Sequence, residues 1–295
     1  MIRSLDLQRI RRAFARAAPG YEAVAALQRE VESRLLDQCD AQQQLPQRVL
    51  DLGCGPGRAS SALAARWPRA QVLSVDAALP MLRLAQPRGA WWKLSMRRTA
   101  CICADVSALP FADASIDVVF SSLCLQWVDD LPAALAGFRR VLRPGGLLLF
   151  STFGPDTLHE LRDAFAAADA GDPVSRFAPI QAVGDALQAA GFRDPVLHRD
   201  RFTLTYAEPR ALMHELRALG AVNARADRRR TLTGKTRMRR VFDAYDTRRV
   251  DGTLPSSWEV IYAQAFAPPP GQPTREGEDT VVRIPVGAIP LRRAR

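Results

Sequence analysis

The chain has 295 residues, 47% apolar and 24% charged, with 18 Gly and 21 Pro, an ordinary globular composition that argues against disordered or fibrous architecture. No apolar run approaches the roughly 18 residues needed to span a bilayer, and the opening MIRSLDLQRIRRAF lacks a continuous apolar stretch behind its basic residues, so a soluble, cytoplasmic chain without a membrane partner is expected. Lys plus Arg number 41 against 31 acidic residues, a formal charge of +10; this favours acidic partners through long-range attraction without naming the anion.

The first 46 residues read as helix. Leu5, Ile10 and Phe14 precede a turn at Pro19-Gly20, and Val24, Leu27, Val31 and Leu35 follow at helical spacing. This predicts a helical lid over residues 1–46, ahead of the main fold.

From residue 48 to 152 short apolar runs alternate with amphipathic segments. The runs are RVLDLG (48–53), QVLSVD (71–76), ACICAD (100–105), IDVVFSS (116–122) and GLLLFST (146–152), and near-continuous apolarity is what strands buried on both faces require. RASSALAARW and LPAALAGFRRVL lie between them as helices, the second with Asp129 and Asp130 as cap candidates and Pro132 in its first turn. The alternation predicts an α/β fold with a doubly wound, mostly parallel sheet. PRGAWWKLSMRRT (87–99) fits neither pattern and reads as a surface insertion, with Trp91 and Trp92 anchoring it or forming a contact patch.

Beyond residue 153, helices are expected near 155–169 and 179–190, then two strands, PVLHRD and FTLTYA, and a helix from Glu208 to Leu219. Residues 225–240 carry eight Lys or Arg against one Asp. A short helix near Val241 to Tyr245, a strand at WEVIYAQAF and a Pro/Gly-rich tail complete the chain. The expected organisation is a lid (1–46), a core (47–153), a C-terminal part of the sheet with added helices (154–266) and a flexible tail (267–295).

The first strand runs into VLDLGCGPG, where Gly53, Gly55 and Gly57 let backbone pass close beneath a ligand at the carboxyl end of the sheet. Asp76 ends the second strand, 19 residues after Gly57, where an acid can accept both hydroxyls of a ribose. Asp105 ends the third, positioned to meet an adenine amino group. A dinucleotide turn wants a small residue at position 58, but Arg58 stands there. A phosphate loop is equally disfavoured: the GKT at 234–236 has Arg229 in place of the first glycine and follows no buried strand. The five cysteines form no CxxC pair, so no disulfide framework and no metal site is expected.

VLDLGCGPG, Asp76, ADVSALPF (104–111), IDVVFSSLCLQWVDD (116–130) and LRPGGLLLFSTF (142–153) resemble, in order, the motifs of class I S-adenosylmethionine-dependent methyltransferases. The resemblance implies a Rossmann-like, seven-stranded sheet. It also implies S-adenosylmethionine as cofactor, bound by Asp51, Gly53, Cys54, Gly55, Gly57, Asp76, Ala77, Met81, Asp105, Val106 and Leu123, with the Gly53–Gly57 turn at the methionine part, Asp76 at the ribose, Asp105 and Val106 at the adenine and Leu123 near the sulfonium.

Segments outside the core carry a narrower resemblance. AFARAAPGYEAVAALQREVESRLL (13–36), LRALGAVNAR (216–225), LTGKTRM (232–238) and LPSSWEVIYAQAF (254–266) are similar to the malonyl-acyl-carrier-protein O-methyltransferases of biotin synthesis. That implies methyl transfer to the free carboxylate of a malonyl thioester on acyl-carrier protein. Tyr21 in the lid would then face the cofactor, Gln126 and Trp127 would wall the substrate, and Arg162 would clamp the malonyl carboxylate, with His159 either beside it or on the surface. The basic stretch from Arg228 to Arg240 would dock the acidic carrier, unless it is a solvated loop.

The core motifs alone fit a methyltransferase of a free small-molecule acid equally well, and the positive charge suggests RNA. Against RNA, no nucleic-acid-binding module is recognisable, and SSLCLQW stands where an Asn-Pro-Pro-Tyr-type tetrad would. Cys124 lies nearby, but a lone thiol is more often a small buried hydrophobe.

Overall fold

The five apolar runs of the core become neighbouring parallel strands for the reason expected: their side chains alternate between two buried faces. A computed structural model describes residues 5–42, 44–86, 99–168, 174–228 and 234–269, with the backbone pairing of 274–276 and 279–281. The Trp91-Trp92 insertion lies outside the described residues.

Helices α1 (Leu7–Ala17), α2 (Tyr21–Val24) and α3 (Ala26–Asp37) lead into β1 (Arg48–Leu52), α4 (Arg58–Arg66), β2 (Gln71–Asp76), α5 (Leu79–Ala85), β3 (Thr99–Cys103) and β4 (Ile116–Ser121). There follow α6 (Leu131–Val141), β5 (Leu142–Phe153), α7 (His159–Ala167), α8 (Ile180–Ala189), β6 (Arg193–Tyr206), α9 (Pro209–Ala218), α10 (Lys235–Asp246) and β7 (Leu254–Phe266). The seven strands form one sheet in the order β3-β2-β1-β4-β5-β7-β6. Neighbours from β3 to β5 pair in parallel, whereas β7 runs antiparallel to both β5 and β6.

The period-2 alternation splits the core. Val49, Val72, Val118, Phe120, Leu147 and Leu149 face α3 and α4, whose Leu27, Val31, Leu35 and Leu63 are buried against them. Leu50, Leu52, Val75, Val119, Leu148 and Phe150 face the opposite layer, with Leu135 and Phe138 of α6 and Val183 and Leu187 of α8. Burying a side chain of this size contributes about 1.5–3 kcal/mol, and sliding any one strand by a residue would send each set of side chains into the opposite layer and undo the packing of both. Asp130 caps α6, accepting from the Ala133 N–H at 2.9 Å. Its neighbour Asp129 serves elsewhere, accepting from the Leu5 N–H at 3.0 Å and anchoring the start of the lid.

Two expectations are corrected. PVLHRD and FTLTYA are one strand, β6, paired with β7 from Arg193 to Tyr206. The polar HRDR that suggests a break is tolerated because β6 is an edge strand with alternate residues exposed. The helix near Val241 begins at Lys235, inside the basic stretch, because Val241 and Tyr245 bury one side while the long basic side chains occupy the other. Within the tail β8 (Thr274–Glu276) pairs antiparallel with β9 (Asp279–Val281). Among the described residues no helix is long and apolar enough to cross a membrane.

Candidate active site

The carboxyl ends of β1 to β4 meet beneath the lid. Gly53 leaves β1 at φ +69°, and a Cβ there would lie 2.5 Å from Cys124 Sγ; only glycine lets the two loops close to this distance. Gly57, at φ +86°, caps α4 against Ala85, whose Cβ would stand 2.7 Å from any side chain placed there. Asp76 fixes the turn from the side: its Oδ2 accepts the Gly55 N–H at 3.0 Å and its Oδ1 the Ala78 N–H at 2.7 Å. Burial raises the Asp76 carboxyl above the usual carboxylate range despite those donors.

Two cavities join around this turn. The first, about 530 Å³, is lined by Gly53, Gly55, Asp76, Ala77, Met81, Asp105, Val106, Leu123 and Cys124 below, and by Leu7, Ile10, Arg11, Phe14 and Tyr21 of the lid above. The second, about 340 Å³, shares Tyr21, Gly53, Gly55 and Leu123 and adds Asp51, Cys54, Gln28, Arg29 and Glu32. Asp51 is 1% exposed and accepts from Ser60 Oγ at 2.6 Å. Burial pushes its carboxyl up to about 7, with the charges of Glu32 and Asp76 adding to the rise. Gln28 presents a buried Oε1 that has no hydrogen-bond partner among the described residues. Glu32 is already paired with Arg58 at 2.9 Å, whereas Asp51, Asp76, Asp105 and the orphan acceptor call for a ligand carrying hydrogen-bond donors.

Leu123 stands at φ +47°, a conformation that costs a non-glycine residue about 1–3 kcal/mol and needs outside support. It has that support: its N–H donates to the carbonyl and hydroxyl of Ser151, both at 3.1 Å, and its carbonyl accepts from Gln126 Nε2 at 2.6 Å. Cys124 beside it is no nucleophile. Burial pushes its thiol up to about 12, so it stays protonated near neutral pH.

The sequence-predicted cofactor residues are therefore brought together, with Gly57 supporting the turn from behind. Tyr21 joins both cavities from the lid. Gln126 lies on the other side of the β4 loop, lining a separate cavity of about 870 Å³ with Thr152, Phe153, Phe177 and Arg176. Arg162 is not brought to any of these cavities. Its Nη2 donates to the carbonyls of Pro155 at 3.0 Å and Thr157 at 3.1 Å, bracing the turn that leads into α7. His159, with 43% of its side chain exposed, sits at that surface. Sequence reasoning missed the roof residues Leu7, Ile10, Arg11 and Phe14, although the strongly one-sided pattern of α1 was the available signal. Phe14 meets Trp127 edge to face, with centroids 5.5 Å apart, packing α1 against the β4 loop.

A family described as a methyltransferase domain matches residues 50–150. The malonyl-acyl-carrier-protein O-methyltransferase of Xylella fastidiosa is 54% identical over 98% of this chain and 97% of its own length. This chain belongs to that family. The enzyme of the same name from Halorhodospira halophila is 46% identical, again over 98% and 97% of the two chains. Among solved structures, the YcgJ protein of Bacillus subtilis aligns at TM-score 0.55 and 15% identity over 80% of this methyltransferase and 99% of its own chain. Phosphoethanolamine N-methyltransferase 2 of Haemonchus contortus, solved with S-adenosylmethionine, aligns at 0.51 and 19% identity over 80% of this chain and 52% of its own. At such identities the structures support the methyltransferase fold alone.

Proposed function

We propose that this methyltransferase moves a methyl group from S-adenosylmethionine to the free carboxylate of a malonyl group thioester-linked to acyl-carrier protein, forming the methyl ester that enters biotin synthesis. The observation that carries this reading is identity spread over the lid and the C-terminal segments as well as the core, to relatives of that name.

The joined cavities suit the cofactor. The turn at Gly53 leaves no room for a side chain, the orphan Gln28 Oε1 would accept from an ammonium, and Asp51 would offset that positive charge, Glu32 being engaged by Arg58 at 2.9 Å. Asp76 retains lone pairs for a ribose diol, and Asp105 with Val106 would flank the adenine. S-adenosylmethionine supplies, when bound, a methyl group on a positively charged sulfur. A malonate carboxylate is already ionised at neutral pH, so no general base is required, and the first cavity has no histidine among its described lining residues.

What the chain contributes is alignment and exclusion of water, effects that supply roughly 7–11 kcal/mol in well-oriented systems. Leu123, Tyr21, Phe14 and Trp127 would wall the reacting atoms, with Gln126 holding Leu123 in place. Arg11 is the guanidinium among the first cavity's described lining residues, and takes from Arg162 the role of meeting the carboxylate. The acidic carrier would dock through surface arginines.

Purified protein incubated with labelled S-adenosylmethionine and malonyl-acyl-carrier protein, with a free small acid and bulk RNA as parallel acceptors, tests the reading. Methyl ester on the carrier-bound malonyl group is expected, whereas label in RNA or in the free acid alone would overturn it. Arg11→Ala is expected to raise KM for the malonyl substrate far more than for the cofactor.

A further inference from the structure

Of the basic stretch that the sequence singles out, Arg229 and Arg230 lie outside the described residues, and its described cations do not line the reaction site. Arg228, its first residue, is paired with Asp6 at 3.1 Å and 15% exposed in its side chain, and it also donates to the Arg225 carbonyl at 2.8 Å. It works as a latch. The same Asp6 caps α1 by accepting the Arg9 N–H at 3.0 Å, and its own N–H donates to the Ala224 carbonyl at 2.7 Å. Arg9 Nε donates to the Asn223 carbonyl at 3.0 Å. The 223–228 segment therefore pins the lid, and the remaining described cations of the stretch lie on α10, which contributes no lining residue to the cavities that hold the site.

α1 is different in both respects. One side buries Ile10, Ala13 and Ala17, and the adjoining side roofs the first cavity. Arg9, Arg12 and Arg16 recur at i, i+3 and i+7 and so form a single stripe on the remaining side. The helix contains no acidic residue. Arg12 and Arg16 are exposed and carry no ion pair or hydrogen bond among the described residues, although like charges one turn apart disfavour a helix. An unneutralised cationic stripe on the roof of a methyl-transfer cavity is complementary to an acidic protein that must present its thioester there.

We propose that the outer stripe of α1, centred on Arg12 and Arg16, is the surface on which the acidic carrier protein docks, in place of the 228–240 stretch. This rests on the carrier-bound substrate proposed above. Docking on the lid also couples two events, since a partner seated on α1 holds it down over the cofactor cavity while its arm enters at the lid's edge.

The experiment compares two charge-reversed full-length enzymes, Arg12→Glu/Arg16→Glu on α1 and Arg239→Glu/Arg240→Glu on α10. Dissociation constants for fluorescently labelled malonyl-acyl-carrier protein are measured by anisotropy across a salt series, beside cofactor affinity and Tm. The α1 pair is expected to weaken carrier binding about tenfold or more at low salt and to flatten its salt dependence, with cofactor affinity held within about twofold. The α10 pair should change carrier binding by less than about twofold. A larger effect from α10, or no effect from α1, overturns the docking site. Should the α1 double reversal lower Tm markedly, Arg12→Gln/Arg16→Gln replaces it, and about threefold weaker carrier binding is then expected. Wild-type enzyme that binds the cofactor but neither binds nor methylates the carrier overturns the proposed function itself, and the docking site with it.

Discussion

The floor and the roof of the cavity are built by different means. The floor is four strand ends and the turns that follow them, and each of its key residues lies within a few positions of a strand that parallel pairing has already placed. The roof is one helix whose position depends on Asp129, Asn223, Ala224 and Arg228, residues more than 100 positions away along the chain. Local sequence therefore settles the floor, while the roof is held by a few polar contacts, one aromatic pair and a small apolar cluster of Leu5, Ile10 and Ala224 separate from the two cores of the sheet.

The largest effect should come from attacking the floor. Gly53→Val places a branched side chain at φ +69° and drives it into Cys124, so cofactor affinity should fall about 100-fold or more, with a lowered Tm. Calorimetric titration and a thermal melt measure both, and wild-type affinity in this variant would show that the floor is less rigid than its contacts require. The roof should give a smaller and cleaner response. Phe14→Ala removes the ring packed on Trp127, and cofactor affinity should drop about tenfold, while Tm moves little because the sheet is untouched. A Tm loss as large as that of the floor variant would erase the distinction between the two regions.

A third effect is electrostatic. Asp51 is raised from 3.8 to about 7 by burial, so between those values the folded chain retains a proton that the unfolded chain gives up. Its contribution to stability is complete below pH 3.8 and is lost as pH rises through about 7. A positively charged ligand prefers the carboxylate, so the cofactor dissociation constant should fall several-fold from about pH 6 to 8 while the ligand-free Tm declines. Asp51→Asn should flatten both profiles; profiles parallel to wild type would place the titration on another group. The smallest effect belongs to Arg162→Ala. With its guanidinium on two carbonyls outside the cavity, it should cost about 1 kcal/mol of stability and leave both Michaelis constants unchanged. A selective rise for the malonyl substrate would restore it as the carboxylate clamp.

Much of this was legible without coordinates. The alternation of apolar runs and helical segments carried the parallel half of the sheet. The glycine turn with Asp76 and Asp105 carried the floor of the site, because parallel strands deliver their carboxyl ends to one edge. Where reading failed, the competing physics is identifiable. HRDR within β6 looked like a break because charge was read as loop, whereas an edge strand exposes alternate residues. Arg162 has the chemistry of a clamp and lies near β5, but its side chain turns onto the carbonyls of Pro155 and Thr157. Arg228 is indistinguishable in sequence from its basic neighbours, and only the fold brings Asp6 against it.

By itself the sequence determined the parallel half of the sheet, the residues gathered at the floor of the cavity and, through likeness running beyond the core, the family, since all of these rest on short-range periodicity or contiguous motifs. Which helix roofs the cavity, which arginine faces into it and which cations remain unpaired outside were decided by the tertiary structure alone. Those properties depend on pairings between residues far apart in the chain, and no local pattern of charge or hydrophobicity encodes them.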